Sequence, residues 1–185
     1  MKKKISILGS TGSIGVSALT VINKKKKLFK IILLSSNKNF KSICKQIIKY
    51  KPKYYVISDI KTYNKAKKKF KKSKVKIFNS LNFNEKKIKS DIVISAIPGI
   101  AGLTPTINII SKTKKILIAN KESIICGWNL IKDRAKKSKT EIVPLDSEHY
   151  SIRELIKDTK IENIEKIFLT ASGGPFLNLK ISKFK

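Results

Sequence analysis

The sequence predicts an α/β fold, a mostly parallel sheet with helices on both faces. Three observations predict it. The short strand-like runs are apolar at nearly every position, as strands covered on both sides must be. Helix-patterned segments separate them with little spare loop. A glycine-rich turn joins the first strand to the first helix.

The elements follow in order. Ile5–Leu8 reads as a short buried strand, Gly9–Gly15 as a turn and Ser13–Asn23 as a helix. Phe29–Ser36 (FKIILLSS) is a second strand, and Phe40–Lys49 places Ile43, Ile47 and Ile48 at helical spacing. Tyr54–Ser58 is a third strand, Tyr63–Lys72 a lysine-coated helix and Val75–Phe78 a short strand. The apolar run Asp91–Ile97 is stopped by Pro98-Gly99. Pro105 suits the first turn of a helix through Ile110, because its missing N–H would be unpaired there anyway. Lys115–Ala119 is a strand, Ser123–Lys137 a helix, Glu141–Leu145 a strand and Ile152–Lys157 a helix. Ile167–Ala171 reads as the last strand, ahead of Gly173-Gly174-Pro175.

At 185 residues the chain suffices for one domain and the start of a second, with a boundary expected near Pro144. Lys plus Arg is 42 against 12 Asp plus Glu, a net charge of +30. Cations on this scale can bind nucleic acid by releasing counterions. Yet all of them except Arg134 and Arg153 are lysines, spread along the whole chain beside abundant Ile and Asn. That pattern marks a drift toward AT-rich codons. Nucleic-acid surfaces favour Arg, whose planar fork reads phosphate and guanine, so no nucleic-acid partner is expected. Cys44 and Cys126 have no His or Cys partner at metal spacing and read as two reduced core thiols of a cytoplasmic protein. After Met1-Lys2-Lys3-Lys4 the apolar stretch Ile5–Leu8 is too short for a signal segment, and no window reaches membrane-spanning length, so no membrane partner is expected.

Four blocks could carry chemistry. Gly9-Ser10-Thr11-Gly12-Ser13-Ile14-Gly15 follows a strand and opens a helix, as a dinucleotide fingerprint requires, though its spacing is G-x-x-G-x-x-G. Its glycines let backbone N–H groups approach a pyrophosphate, and the helix terminus adds roughly half a positive charge. The second strand ends Ser35-Ser36-Asn37-Lys38-Asn39, without the carboxylate that would accept from a ribose 2′-OH. Lys38 and the hydroxyls suit a 2′-phosphate, favouring NADPH over NADH. Asn120-Lys121-Glu122-Ser123 follows a buried strand at the sheet's carboxyl edge; it either faces a ligand or caps the next helix. Asp146-Ser147-Glu148-His149 also follows a strand. On an extended backbone Asp146 and Glu148 would point the same way and suit Mg2+ or Mn2+, while an acidic helix N-terminus is the alternative. Ser172-Gly173-Gly174-Pro175 can present N–H groups and a hydroxyl to a phosphate, or can be an ordinary turn.

In this order and spacing, GSTGSIG, ANKES, PLDSEH and TASGGPF resemble the 1-deoxy-D-xylulose 5-phosphate reductoisomerase family across the whole chain. The resemblance implies a Rossmann-like NADPH-binding domain over residues 1–144 and the start of an α+β catalytic domain over 145–185. It implies that Thr11, Gly12, Ser13 and Ile14 hold the NADPH pyrophosphate, and that Asn37, Lys38 and Asn39 lie by its adenosine phosphate. Family members often carry Gly where this chain has Asn37, and Asn tolerates positive φ better than most residues. Asn120 and Glu122 would contact NADPH, and Lys121 the substrate. Asp146 and Glu148 would be two of three carboxylate ligands to Mg2+ or Mn2+, Ser147, Glu148 and Ser172 would meet the substrate, and His149 would support the pocket; Lys121 and Glu148 carry the catalytic expectation. The implied reaction rearranges a ketose phosphate and then reduces the resulting aldehyde to 2-C-methyl-D-erythritol 4-phosphate, in a homodimeric cytoplasmic enzyme. The third metal carboxylate, the lid and the phosphate clamp are expected beyond Phe176, so the 185-residue chain alone is expected to bind NADPH weakly and turn nothing over. A decayed NADP-binding remnant is the competing reading, and whether the coding frame continues past Lys185 separates the two.

Overall fold

Strand and helix alternate from the first residues. β1 (Lys3–Leu8), α1 (Ser13–Lys24), β2 (Phe29–Ser36), α2 (Phe40–Tyr50), β3 (Tyr54–Ile57), α3 (Ile60–Lys69) and β4 (Lys76–Phe78) come first. β5 (Ser90–Ser95), a 3-10 turn at Ile100–Gly102, α4 (Leu103–Ile110), β6 (Thr113–Ile118), α5 (Lys121–Ser138), β7 (Glu141–Pro144) and α6 (Ser147–Ile156) follow. The structure, a computed structural model, describes residues 1–81 and 88–169. Two compact units divide the chain, Met1–Leu145 and Asp146–Lys185.

The strands pair in parallel, in the order β4-β3-β2-β1-β5-β6-β7. The chain therefore leaves β1 in one direction, then returns to lay β5 on its other side, with Ile5 opposite Ile92 and Leu8 opposite Ser95. Where the winding direction reverses, the connections after β1 and β5 part and leave a crevice at the carboxyl ends of the strands.

Alternation along each strand feeds two apolar layers. Ile5, Ile7, Leu34, Tyr55 and Ile57 pack with Leu19 and Ile22 of α1, Ile43 and Ile47 of α2 and Ala66 of α3. Leu8, Leu33, Tyr54, Val56, Val93 and Ile116 pack on the opposite face with Ile109 and Ile110 of α4 and Ile131 of α5. Each such aliphatic side chain contributes about 1.5–3 kcal/mol by leaving water. Helices thus cover both faces of a parallel sheet, as the strand composition predicts.

Side-chain caps set where the helices begin. Asn39 accepts from Ser42 N at 3.1 Å, Asp59 from Thr62 N at 2.8 Å, Asn120 from Ser123 N at 2.9 Å and Asp146 from His149 N at 3.0 Å. Three helices consequently start earlier than the apolar pattern indicates: α3 at Ile60, α5 at Lys121 and α6 at Ser147. At their far ends, Lys51 and Lys139 terminate α2 and α5 in the left-handed region, with φ of 43° and 54°. Asn37 does not share that conformation. Ile167–Leu169 form no strand, and the remainder of that expected element lies outside the described residues. Cys44 lies in the core as expected, but Cys126 does not: it is exposed, because α5 turns Ser123, Gly127, Ile131 and Ala135 inward instead. No described helix is long and apolar enough to cross a membrane.

Candidate functional site

The turn between β1 and α1 enters the crevice beside β5. Gly9 has a φ of +79°, and a Cβ there would lie 2.5 Å from the carbonyl oxygen of Ala96, just past β5. Gly15 lets α1 abut the turn, since its Cβ would meet Gly9 O at 2.3 Å. Gly12 N donates to Gly9 O at 3.1 Å and Gly12 O accepts from Val16 N at 2.9 Å, so the helix opens directly out of the turn.

α1 differs from α2, α3, α5 and α6 in lacking a side-chain cap, and no acidic residue stands in its first turn. The N–H groups that any helix leaves unpaired at its start are here met by no side chain of the cap residue. Together with the helix dipole they form a site for an anion.

Two clefts flank this terminus. The larger, of about 580 Å3, runs past Gly9, Thr11 and Gly12 toward Ser35, Ser36 and Asn37 at the end of β2. The smaller, of about 350 Å3, is lined by Gly12, Ser13, Ile14, Asn120, Lys121 and Glu122. Gly12, Ile97 and Pro98 border both. Residues far apart in sequence are thereby gathered around one glycine turn. Lys38 and Asn39 border neither cleft. Asn39 is engaged in capping α2, and exposed Lys38 lies within electrostatic reach of Asp59. The Asp59 carboxyl sits below its usual range, first through its hydrogen bonds to Thr62 and then through Lys38 and Lys61.

Asn120 is nearly buried, at 4% exposure, and its side chain is used internally. Besides accepting from Ser123 N, its amide donates to Ile97 O and to Gly99 O, the latter at 2.7 Å. It both caps α5 and ties down the loop that separates the two clefts. Lys121 and Glu122, on the first turn of α5, are exposed.

In the second unit, the extended arrangement expected for Asp146 and Glu148 does not occur. Asp146 is extended but serves as the cap of α6, and Ser147, Glu148 and His149 are already helical. The capping bond wins because it satisfies a helix N–H that an extended chain would leave to water. Asp146 Oδ1 also meets His149 Nδ1 at 2.6 Å. Burial works against ionisation of Asp146, but the bonds from the His149 backbone and ring outweigh it and hold the carboxyl below its usual range. Ser147 Oγ donates to Glu148 Oε2 at 2.8 Å. Both carboxylates offer hard oxygen donors of the kind Mg2+ takes, yet among the described residues no three His, Cys, Asp or Glu side chains form a metal-binding group. Ser172 lies outside the described residues.

Sequence reasoning passes over Ser58, Asn79, Thr104 and Asn108, which line the larger cleft. It also passes over Gln46, a polar residue on the buried face of α2. The available signal was a lone Gln among Ile43, Cys44 and Ile47.

A parallel sheet that reverses its winding between β1 and β5, with a glycine turn and an uncapped helix in the crevice, defines a Rossmann-like α/β protein. The chain belongs to the 1-deoxy-D-xylulose 5-phosphate reductoisomerase family. The family model described as 1-deoxy-D-xylulose 5-phosphate reductoisomerase matches residues 5–127, and that for the C-terminal domain of the same enzyme matches residues 142–185. The reductoisomerase of Pelagibacter ubique (strain HTCC1062) is 52% identical over 188 residues, which cover 99% of this chain and 48% of that protein. The solved reductoisomerase of Zymomonas mobilis in complex with NADPH superposes with a TM-score of 0.84 at 30% identity, covering 98% of this chain and 48% of that one. A further reductoisomerase structure, in complex with NADPH, fosmidomycin and magnesium, gives a TM-score of 0.80 at 30% identity over 97% of this chain and 48% of that one. The chain thus spans about half the length of the relatives it matches.

Proposed function

We propose that this chain supplies the NADPH-binding part of a 1-deoxy-D-xylulose 5-phosphate reductoisomerase, and that the whole protein converts 1-deoxy-D-xylulose 5-phosphate to 2-C-methyl-D-erythritol 4-phosphate. The observation that carries the reading is the uncapped start of α1, set behind a glycine turn between two clefts. NADPH and magnesium in the related structures support it.

The residues divide the work by chemistry. Thr11, Gly12, Ser13 and Ile14 bind the pyrophosphate with backbone N–H groups and hydroxyls. The larger cleft takes the adenosine end, where Ser35 and Asn37 line the wall and no carboxylate stands at the end of β2 to repel a 2′-phosphate. Lys38 adds a long-range cation there, and Asn39 acts through its cap, holding the loop in place. The smaller cleft takes the nicotinamide end, with Asn120 fixing the wall, Glu122 contacting the cofactor and Lys121 carrying positive charge toward an anionic sugar phosphate. Asp146 and Glu148 belong to the carboxylate set for a divalent cation, Mg2+ or Mn2+, with Ser147 and Ser172 as substrate contacts and His149 steadying Asp146. When bound, NADPH supplies a hydride and the cation supplies Lewis acidity toward substrate oxygens. In the same reading the whole protein is a cytoplasmic homodimer acting on a small sugar phosphate, without nucleic-acid or membrane partners.

Fluorescence titration with the two reduced nicotinamide cofactors tests the proposal. NADPH is expected to bind at least about tenfold more tightly than NADH, which corresponds to about 1.4 kcal/mol. Equal affinities would remove the assignment of the adenosine end, and no binding of either would remove the reading altogether.

A further inference from the structure

Ser10 sits inside the glycine turn with its polar groups directed inward. Its N–H donates to Ser35 O at 2.7 Å. Its hydroxyl donates to Gln46 Oε1 at 2.7 Å, with Ser35 O as a second acceptor at 3.0 Å, and its carbonyl accepts from Gln46 Nε2 at 2.8 Å. Tyr55 Oη donates to the same Gln46 Oε1 at 2.7 Å. Ser10 and Tyr55 are fully buried and Gln46 is 6% exposed. These side chains come from the turn, α2 and β3, and meet only because the sheet order brings β1, β2 and β3 side by side.

A buried polar network costs desolvation that an apolar filling of the same space would avoid. Its effect here is directional. A backbone turn that binds phosphate must aim its N–H groups at the ligand and its carbonyl oxygens elsewhere, because a carbonyl dipole facing a phosphate repels it. Gly9 O is occupied by Gly12 N at 3.1 Å, and Ser10 O by Gln46 Nε2. The amide of Gln46 can do this in one orientation only. The Ser10 carbonyl can only accept, so it takes Nε2 and turns Oε1 toward the Ser10 and Tyr55 hydroxyls, which donate to it.

We infer that Gln46, held between Ser10 and Tyr55, is a positioning residue for the dinucleotide pyrophosphate: it holds Ser10 so that the turn shows N–H groups, and not the Ser10 carbonyl, to the ligand. The inference rests on the NADPH reading above. It adds a specific division of labour: Gln46 acts on the turn through the Ser10 carbonyl, whereas the proposed adenosine end meets Ser36 and Asn37 at the end of β2, and the hydrogen bonds of the Gln46 amide run to Ser10 and Tyr55 instead.

The test compares two ligands on the full chain: NADPH, followed by its fluorescence, and adenosine 2′-phosphate, which lacks the pyrophosphate, followed by NMR line broadening. Gln46→Met preserves length and removes the amide. It is expected to weaken NADPH about tenfold while leaving adenosine 2′-phosphate within about twofold. Ser10→Ala, which removes only the hydroxyl tie, is expected to shift NADPH in the same direction by less, and serves if Gln46→Met does not fold. Thr140→Val is the control for general destabilisation. Its hydroxyl is buried at the far end of the sheet, bonded to Ile110 O and Thr113 O at 2.9 Å each, and the variant is expected to bind both ligands normally. Unchanged NADPH affinity in Gln46→Met and Ser10→Ala, or loss of both ligands in step, overturns the inference while leaving the proposed function intact. If the unmodified chain binds no NADPH, the proposed function itself falls, and the inference with it.

Discussion

Tyr55 ties the chemistry of one residue to the stability of the chain. An unfolded tyrosine ionises near pH 10, whereas burial holds this one protonated to about 12. Between those values the unfolded chain has released a proton that the folded chain retains. The stability contributed by the neutral hydroxyl is therefore complete below about pH 10 and is lost as the pH rises through 12, to the extent of about 2–3 kcal/mol. Urea denaturation at about pH 9 and pH 12 should show the difference between the unmodified chain and Tyr55→Phe shifting by that amount, against the unmodified chain. A difference that stays constant with pH would mean that Tyr55 ionises like an exposed phenol. Nothing in the sequence around Tyr55 announces this behaviour. The hydroxyl meets Gln46 and Ser10 across separations that no local pattern spans, and only the fold juxtaposes them. The glycines of the turn, by contrast, were legible from sequence, because close approach of Gly15 to Gly9 and the positive φ of Gly9 leave glycine as the residue that fits.

At the scale of the element, strands were easier to read than helix starts, for a physical reason. Burial on both faces writes a strand into composition, as in FKIILLSS and DIVISAI. The first turns of α3, α5 and α6 are largely polar: Lys121 and Glu122 open α5 toward solvent, and α6 has no fully buried residue at all. The apolar periodicity that reveals a helix therefore begins a turn late, although the capping Asp59, Asn120 and Asp146 stood in plain view. The same cap explains why Asp146 and Glu148, expected on an extended segment, are found at a helix terminus. Helix ends carry a prediction of their own. Lys51 and Lys139 occupy the left-handed position that Gly usually fills, where a Cβ costs roughly 1 kcal/mol. Lys51→Gly and Lys139→Gly should each stabilise the chain by up to about 1 kcal/mol in chemical denaturation, despite the greater flexibility of glycine in the unfolded state. Loss of stability in both would show that the lysine side chains make up for the strain.

Across the whole molecule the dominant feature is charge. A net +30 on 185 residues makes the folded state repel itself, and pairs such as Lys114 with Asp91 and Lys115 with Glu141 cannot balance it, since 12 acidic residues face 42 basic ones. Raising the ionic strength from about 0.01 M to 0.5 M shortens the screening length from about 30 Å to a few ångströms. The melting temperature should rise by about 5 °C, as expected for a gain of between 1 and 2 kcal/mol in a chain of this size. A fall on adding sodium chloride would mean that attractive pairs outweigh repulsion.

The reversal of winding at β1 also dictates an order of assembly. β2, β3 and β4 emerge soon after β1 and can stack on one side of it, but its other neighbour, β5, begins at Ser90. A chain growing from its N-terminus must therefore wait for some eighty further residues before Ile5, Ser6, Ile7 and Leu8 find their second partner. During that interval the middle of the future sheet is a temporary rim, apolar and able to pair with another nascent chain. The lysines at positions 2–4, at the entrance to that strand, place like charges where two such rims would meet. The strand that ends at the centre of the sheet begins its life as the one most in need of a guard.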